Sequence, residues 1–204
     1  MALALRDPEY HTYGDYLRWP EDVRYELIDG QAYLMAPAPT LDHQVCVGEI
    51  FRQLANALGN HPCRAFVAPV DVRLPLFSEA DEQIDTVVQP DVLVVCDRAK
   101  LDARGVRGAP DLVVEVLSPA TASHDRERKR SLYERAGVRE YWLVDTGERR
   151  LAIFKLTAGR FGPPETQELT GETAIGILPG RVIAWDELTR RLWGQAPMRP
   201  LDPV

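Results

Sequence analysis

Apolar and polar positions recur along this chain with two periods, one fitting strands and one fitting helices. Tyr25-Glu26-Leu27-Ile28 and Ala32-Tyr33-Leu34-Met35 flank Asp29-Gly30. Asp-Gly between apolar runs predicts a hairpin over 23–35. Pro37-Ala38-Pro39-Thr40 then breaks the strand. From Leu41 to Leu58 the apolar positions Val47, Ile50, Phe51, Leu54 and Leu58 fall three or four apart. That spacing predicts a helix, stopped by Gly59-Asn60. Strands follow at about 64–74, 87–96, 111–118, 140–145, 150–156 and 172–178. A helix over about 123–136 interrupts them, with Ser123 as its cap and Gly137 at its end. Segments 77–83 and 98–108 read as loops, Asp145-Thr146-Gly147-Glu148 as a turn, and 186–192 as a last helix. A short helix is expected through Tyr13–Leu17, and the Pro-rich tail after Gly194 reads as loosely held. With no repeat and no linker, the pattern predicts one α+β domain over 1–204, its core about 23–185, built on a central sheet.

Composition narrows the class. The chain has 204 residues, 45% hydrophobic and 27% charged, which is ordinary for a globular protein. A net charge of −7 argues against broad adhesion to nucleic acid or anionic membrane, yet leaves room for local basic contacts. Cys46, Cys63 and Cys96 are odd in number and form no Cys-x-x-Cys pair, so neither a disulfide framework nor a thiolate zinc site is expected. No apolar run reaches the roughly 18–20 residues of a membrane span. No membrane partner is expected, and the cytoplasm is the default location.

Candidate chemistry concentrates in two stretches. Gln89-Pro90-Asp91 precedes the run Val92-Leu93-Val94-Val95, and Glu115 lies inside Leu112-Val113-Val114-Glu115-Val116-Leu117. The second run is apolar on both faces, as in a covered central strand. An acid there costs several kcal/mol unless it is paired or binds a metal. Asp91 alone reads equally as a strand-entrance residue bonding local backbone. Antiparallel pairing of the two strands would bring both acids within reach of one divalent ion. Asp111 is four positions before Glu115, about 13 Å away at roughly 3.3 Å per residue, and reads as a turn acid. Asp125, Lys129, Leu132, Tyr133 and Ala136 form one stripe of the 123–136 helix. Lys129 therefore lies at a buried edge, either snorkelling to solvent or stabilising charge at the acids. His43 opens the apolar face of the first long helix, as a cap or core residue or as a site residue. Glu26 follows Tyr25 in the hairpin, where a strand glutamate usually faces solvent.

These residues resemble the Uma-two family of restriction endonucleases, within the PD-(D/E)XK nuclease superfamily. The resemblance runs from about Tyr25 to Trp185. It is carried by Tyr25-Glu26-Leu27-Ile28-Asp29-Gly30, His43, Pro90-Asp91, Glu115-Val116-Leu117-Ser118, Lys129 with Tyr133, and Gly137-Val138-Arg139-Glu140-Tyr141-Trp142-Leu143-Val144-Asp145. It implies a restriction-endonuclease-like αβββαβ core, with a central mixed sheet flanked by helices and an extra N-terminal hairpin. It implies that Asp91 and Glu115 bind Mg²⁺ or Mn²⁺, with the Val116 carbonyl as third ligand. Leu117 stands where the superfamily motif has lysine, and the family likeness gives that role to Lys129. His43, Glu26, Tyr133 and Ser118 would be accessory. The implied reaction is hydrolysis of DNA by an endonuclease, and cutting both strands suits a homodimer. The rival expectation is a catalytically silent nuclease fold that binds nucleic acid or protein.

Overall fold

Two prolines divide the strands expected over 64–74 and 87–96 between different sheets. In the computed structural model, which describes residues 9–20, 24–35, 39–118 and 124–194, the elements follow in order. They are α1 Tyr13–Tyr16, β1 Tyr25–Ile28, β2 Gln31–Leu34, α2 Leu41–Leu58, β3 Arg64–Val67, β4 Val72–Arg73, β5 Val87–Val88 and β6 Val92–Val95. β7 Leu101–Asp102, β8 Gly105–Arg107 and β9 Leu112–Val116 come next. A π-helical turn His124–Lys129 then runs into α3 Arg130–Ala136. The chain continues with β10 Glu140–Asp145, β11 Arg150–Thr157, β12 Arg160–Phe161, β13 Glu165–Glu168, β14 Glu172–Ala174, β15 Val182–Ala184 and α4 Trp185–Trp193. Ser123 and the tail beyond Gly194 lie outside the described residues.

The architecture is α+β with mixed sheets. One sheet has the order β2-β1-β5-β4-β8-β7; a second runs β12-β11-β10-β9-β6-β3, with β13 also on β11; β14 and β15 pair as a separate two-stranded sheet. This corrects the single central sheet expected from the pattern. The physical reason lies in Pro69 and Pro90, which lack the N–H that would continue a ladder. The stretch 64–74 therefore breaks into β3 and β4, and 87–96 into β5 and β6, each pair split between the two sheets. Gln89-Pro90-Asp91 is the crossing point, so Asp91 sits at the junction of the sheets.

The hairpin forms as its turn residues require. Asp29 and Gly30 both have positive φ, 50° and 73°, as a type I′ turn needs. A Cβ on Gly30 would stand 2.2 Å from the Tyr10 ring. β9 and β10 are parallel, joined by the crossover through α3. Alternate residues of the central strands feed opposite cores. Val92, Val94, Leu112, Val114 and Val116 pack with Cys46, Ile50 and Leu54 of α2. Leu93, Val95, Val113 and Leu117 pack with Leu132 and Tyr133 of α3 and with Ile28 and Tyr33 of the hairpin. Glu115 alternates with Val113 and Leu117, so it enters the second core.

Two further expectations are corrected. Residues 98–108 form the hairpin β7–β8, which completes an edge of the six-stranded sheet. Its turn and closure depend on side chains that do not alternate in hydropathy. Gly105 adopts φ 111° against the Asp71 carbonyl, and Asp102 accepts two 2.6 Å bonds from the fully buried Arg73. Cys63 and Cys96 are joined in a disulfide despite a sequence separation of 33. The reason is register: Arg64 pairs with Val95, which puts the flanking cysteines opposite each other. Cys46 is free and buried. Among the described residues no helix is long and apolar enough to cross a membrane.

Candidate active site

β6 and β9 run antiparallel with Val92 opposite Val114. That register draws Asp91, one residue before β6, beside Glu115 and Val116. The Val116 N–H donates to Asp91 Oδ2 at 2.8 Å, so the acid is fixed by the ladder of the neighbouring strand. His43 Nε2 lies 3.3 Å from the same oxygen. His43 is delivered by the first turn of α2, where the Thr40 hydroxyl accepts its backbone N–H. Asp91 keeps 20% of its side chain exposed, whereas Glu115 is buried.

Lys129 is the centre of the constellation. The π-helical turn, a wide backbone form often found at functional sites, presents Asp125 and Lys129 together. Its geometry is held by the Tyr141 hydroxyl, which donates to the Asp125 carbonyl at 3.0 Å. Lys129 Nζ reaches Glu26 Oε1 at 2.9 Å, Glu115 Oε1 at 3.0 Å and Asp125 Oδ1 at 3.5 Å. The Tyr133 hydroxyl, one turn further along, donates to Glu115 Oε1 at 2.8 Å. Glu26 Oε1 also accepts the Gln89 N–H at 3.0 Å. The hairpin thus brings its glutamate inward, where it is buried, and not to solvent as strand glutamates usually go. Lys129 is buried as well and does not snorkel.

The remaining candidates stand apart. Asp111 Oδ2 accepts the Cys96 N–H at 2.8 Å and Oδ1 pairs with Arg139 at 3.1 Å, a turn acid away from the cluster. Ser118 is half-buried just beyond β9. Two members of the constellation, Asp125 and Gln89, had no place among the sequence candidates. The signal for Asp125 was its four-residue spacing to Lys129 on the same helical stripe. For Gln89 it was its place two residues before Asp91.

Burial and charge set the protonation states. Burial raises the Glu115 carboxyl well above its ordinary value. Lys129 opposes that, while Asp125, Asp91 and Glu26 add to it. Burial pulls Lys129 the other way, but Glu115, Glu26, Tyr133 and Asp125 together outweigh it and hold the ammonium protonated. Burial, then Glu115, raises the Tyr133 hydroxyl, which stays a donor. Burial lowers His43, but its bond to Asp91, the Asp91 charge and the Val116 backbone more than offset it, so its pKa is raised.

Among the described residues Glu26, Glu115 and Asp125 gather around the Lys129 ammonium, with Asp91 and the His43 imidazole beside them. Hard carboxylate and carbonyl oxygens suit Mg²⁺ or Mn²⁺, and a cation at Asp91, Glu115 and the Val116 carbonyl would relieve the charge that burial makes costly. The donor chemistry fits such an ion. Among the described residues no three His, Cys, Asp or Glu side chains are grouped to hold one; Lys129 fills the space between three of the acids.

The chain is thus an α+β scaffold with buried acids gathered around a lysine where two sheets meet. The Uma2 family, described as "Putative restriction endonuclease", matches residues 13–186. The chain belongs to that family. An uncharacterized protein of Synechocystis sp. is 30% identical over 143 residues, covering 69% of this chain and 71% of that protein. A crystal structure from Anabaena variabilis, described as a putative nuclease belonging to DUF820, shares the fold. Its TM-score is 0.70 at 19% identity, over 89% of this chain and 98% of that one.

Proposed function

We propose that this chain is a metal-dependent endonuclease that hydrolyses DNA phosphodiester bonds. The observation that carries the reading is the buried Lys129 ammonium, bonded to Glu26 and Glu115 beside the partly exposed Asp91. On this reading α2, β3, β6, β9, α3 and β10 are the αβββαβ core of a restriction-endonuclease-like fold. Asp91, Glu115 and the Val116 carbonyl would hold Mg²⁺ or Mn²⁺. Bound there, the ion supplies Lewis acidity toward water and a non-bridging phosphate oxygen.

The protein's own groups do the rest. Lys129, kept protonated by its acids, is suited to donate a hydrogen bond to the attacking water or to the charge developing on phosphorus; it is not suited to be a base. Tyr133 fixes Glu115 Oε1 and so the direction of that carboxylate. The Val116 N–H and His43 Nε2 do the same for Asp91. A homodimer would supply the second site needed to cut both strands.

The test is cleavage of supercoiled plasmid and single-stranded DNA with Mn²⁺, alongside Glu115→Gln. Metal-dependent nicking by the native chain and none by the variant is the expected result. A second reading, a silent nuclease fold that binds nucleic acid or protein, is favoured by the way Lys129 fills the acid cluster. Mn²⁺ separates the two. A real site stabilises the native state by about 2.7 kcal/mol at a hundredfold excess over Kd, whereas an unchanged melting temperature at millimolar Mn²⁺ with no cleavage would favour the silent fold.

A further inference from the structure

The hairpin that delivers Glu26 also carries or contacts two arginines held on neutral acceptors. Arg24, just before β1, is exposed. Its Nε donates to Gln89 Oε1 at 3.1 Å, and its Nη2 donates to the same oxygen. The Gln89 amide cannot turn over, because its Nε2 donates to Asp71 Oδ1 at 2.8 Å and to the Tyr16 hydroxyl at 3.2 Å. Arg128, next to Lys129 in the π-helical turn, is also exposed. It donates to the Tyr33 hydroxyl, and its guanidinium lies 5.1 Å from the centroid of the Tyr33 ring. Tyr33 is directly opposite Glu26 in the hairpin.

Several other guanidinium groups of this chain go to carboxylates: Arg52 to Glu49, Arg73 to Asp81 and Asp102, Arg107 to Asp81, Arg126 to Asp145; Arg130 lies over Phe154 and Arg149 over Trp193, rings outside the acid cluster's hairpin. Among the described residues neither Arg24 nor Arg128 faces a carboxylate. Each is oriented by a neutral partner and stands one residue away from an acid-cluster contact. Arg24 does so through Gln89, whose N–H binds Glu26; Arg128 does so through Tyr33 and through its neighbour Lys129. In a chain of net charge −7, an acidic site repels a polyanion unless cations hold its backbone nearby. Guanidinium forks match phosphate oxygens in geometry and charge.

We infer that Arg24 and Arg128 bind backbone phosphates of a nucleic acid on either side of the bond presented to Asp91 and Glu115. The inference rests on the nuclease reading of the same site. The two arginines bind non-reacting phosphates, so they act on substrate affinity and not on the chemical step.

The experiment uses Arg24→Gln, Arg128→Gln and the double variant, each with its lysine counterpart. Binding of a short fluorescein-labelled duplex is followed by anisotropy across a salt series in a Glu115→Gln background, so that the DNA stays intact. Each glutamine should flatten the slope of log affinity against log salt by about 0.9, and lysine should largely restore it. In the otherwise native chain KM for plasmid should rise about tenfold per arginine with kcat nearly unchanged. An unchanged slope in the double variant, with or without a lowered melting temperature, would overturn the inference. Continued Mn²⁺-dependent cleavage by the native chain would then show that the nuclease reading survives. A native chain that neither binds the duplex nor cleaves plasmid would overturn both.

Discussion

Replacing Lys129 by methionine tests the centre of the site. Methionine keeps most of the apolar stem and removes the ammonium that reaches Glu26 Oε1 at 2.9 Å, Glu115 Oε1 at 3.0 Å and Asp125 Oδ1 at 3.5 Å. All three acids are buried, so water cannot replace the lost partner. Removing one member of a buried ionic group costs about 3–5 kcal/mol. For a domain of this size 1 kcal/mol moves the melting temperature by about 2–4 °C, so the drop should be about 6–20 °C. The deficit should shrink as pH falls, because the stranded carboxylates can then take up protons. In the native chain the linkage has the opposite reach. The folded-state pKa of Lys129 is raised above the ordinary 10.5. Its stabilisation is therefore complete below that value and fades as pH rises through the folded-state pKa. Calorimetry or thermal circular dichroism from acid to alkaline pH reads both effects. A Lys129→Met protein that melts within about 1 kcal/mol of the native chain at neutral pH would refute the buried, triply paired lysine.

Three further outcomes follow from the geometry. Glu115→Gln keeps an oxygen able to accept from Lys129 and Tyr133, so it should melt near the native chain while losing Mn²⁺-dependent nicking. Asp111→Asn should leave nicking intact and cost about 1 kcal/mol through its bond to the Cys96 N–H, measured by urea unfolding. A loss of nicking as deep as that of Glu115→Gln would overturn the choice of acids. Glu49, held by Arg52, has its carboxyl lowered from 4.5, burial opposing and Gln53 and Arg191 assisting. Its contribution is present above that pH and lost as pH falls through the depressed value, so the Glu49→Gln protein should show a smaller acid-induced loss of melting temperature than the native chain.

The local elements were largely legible. The Asp29-Gly30 turn, the α2 periodicity ending at Leu58 and the αL residue Gly137, φ 89°, all follow from short-range rules. Asp91 and Glu115 were legible as a pair because strand register is a local property once two strands are known to be neighbours. The division of the sheets was not, since Pro69 and Pro90 fall inside the strands expected over 64–74 and 87–96, and only the tertiary structure shows each half pairing with a different sheet. Glu26 was ambiguous for the same reason. Its strand alternates normally, and what turns it inward is Lys129, far along the chain. The β7–β8 hairpin was invisible to hydropathy because its anchors are two charged side chains, the buried Arg73 and the exposed Asp102. The Cys63–Cys96 bond was hidden by sequence distance and revealed by register.

The placement of Glu115 on one face of β9 limits how this chain can change over generations. Side chains on a strand alternate, so inserting or deleting one residue between Leu112 and Val116 would swap Glu115 with a valine. The acid would then point into the apolar core beneath α2, and a valine would meet Lys129. No single later substitution would repair both faces at once. Point changes at the rim remain open to drift, and length changes are confined to surface connections such as 157–160. The central strands are therefore frozen in length by their chemistry as much as by their packing. Change in this lineage is expected in the loops, around an unaltered frame.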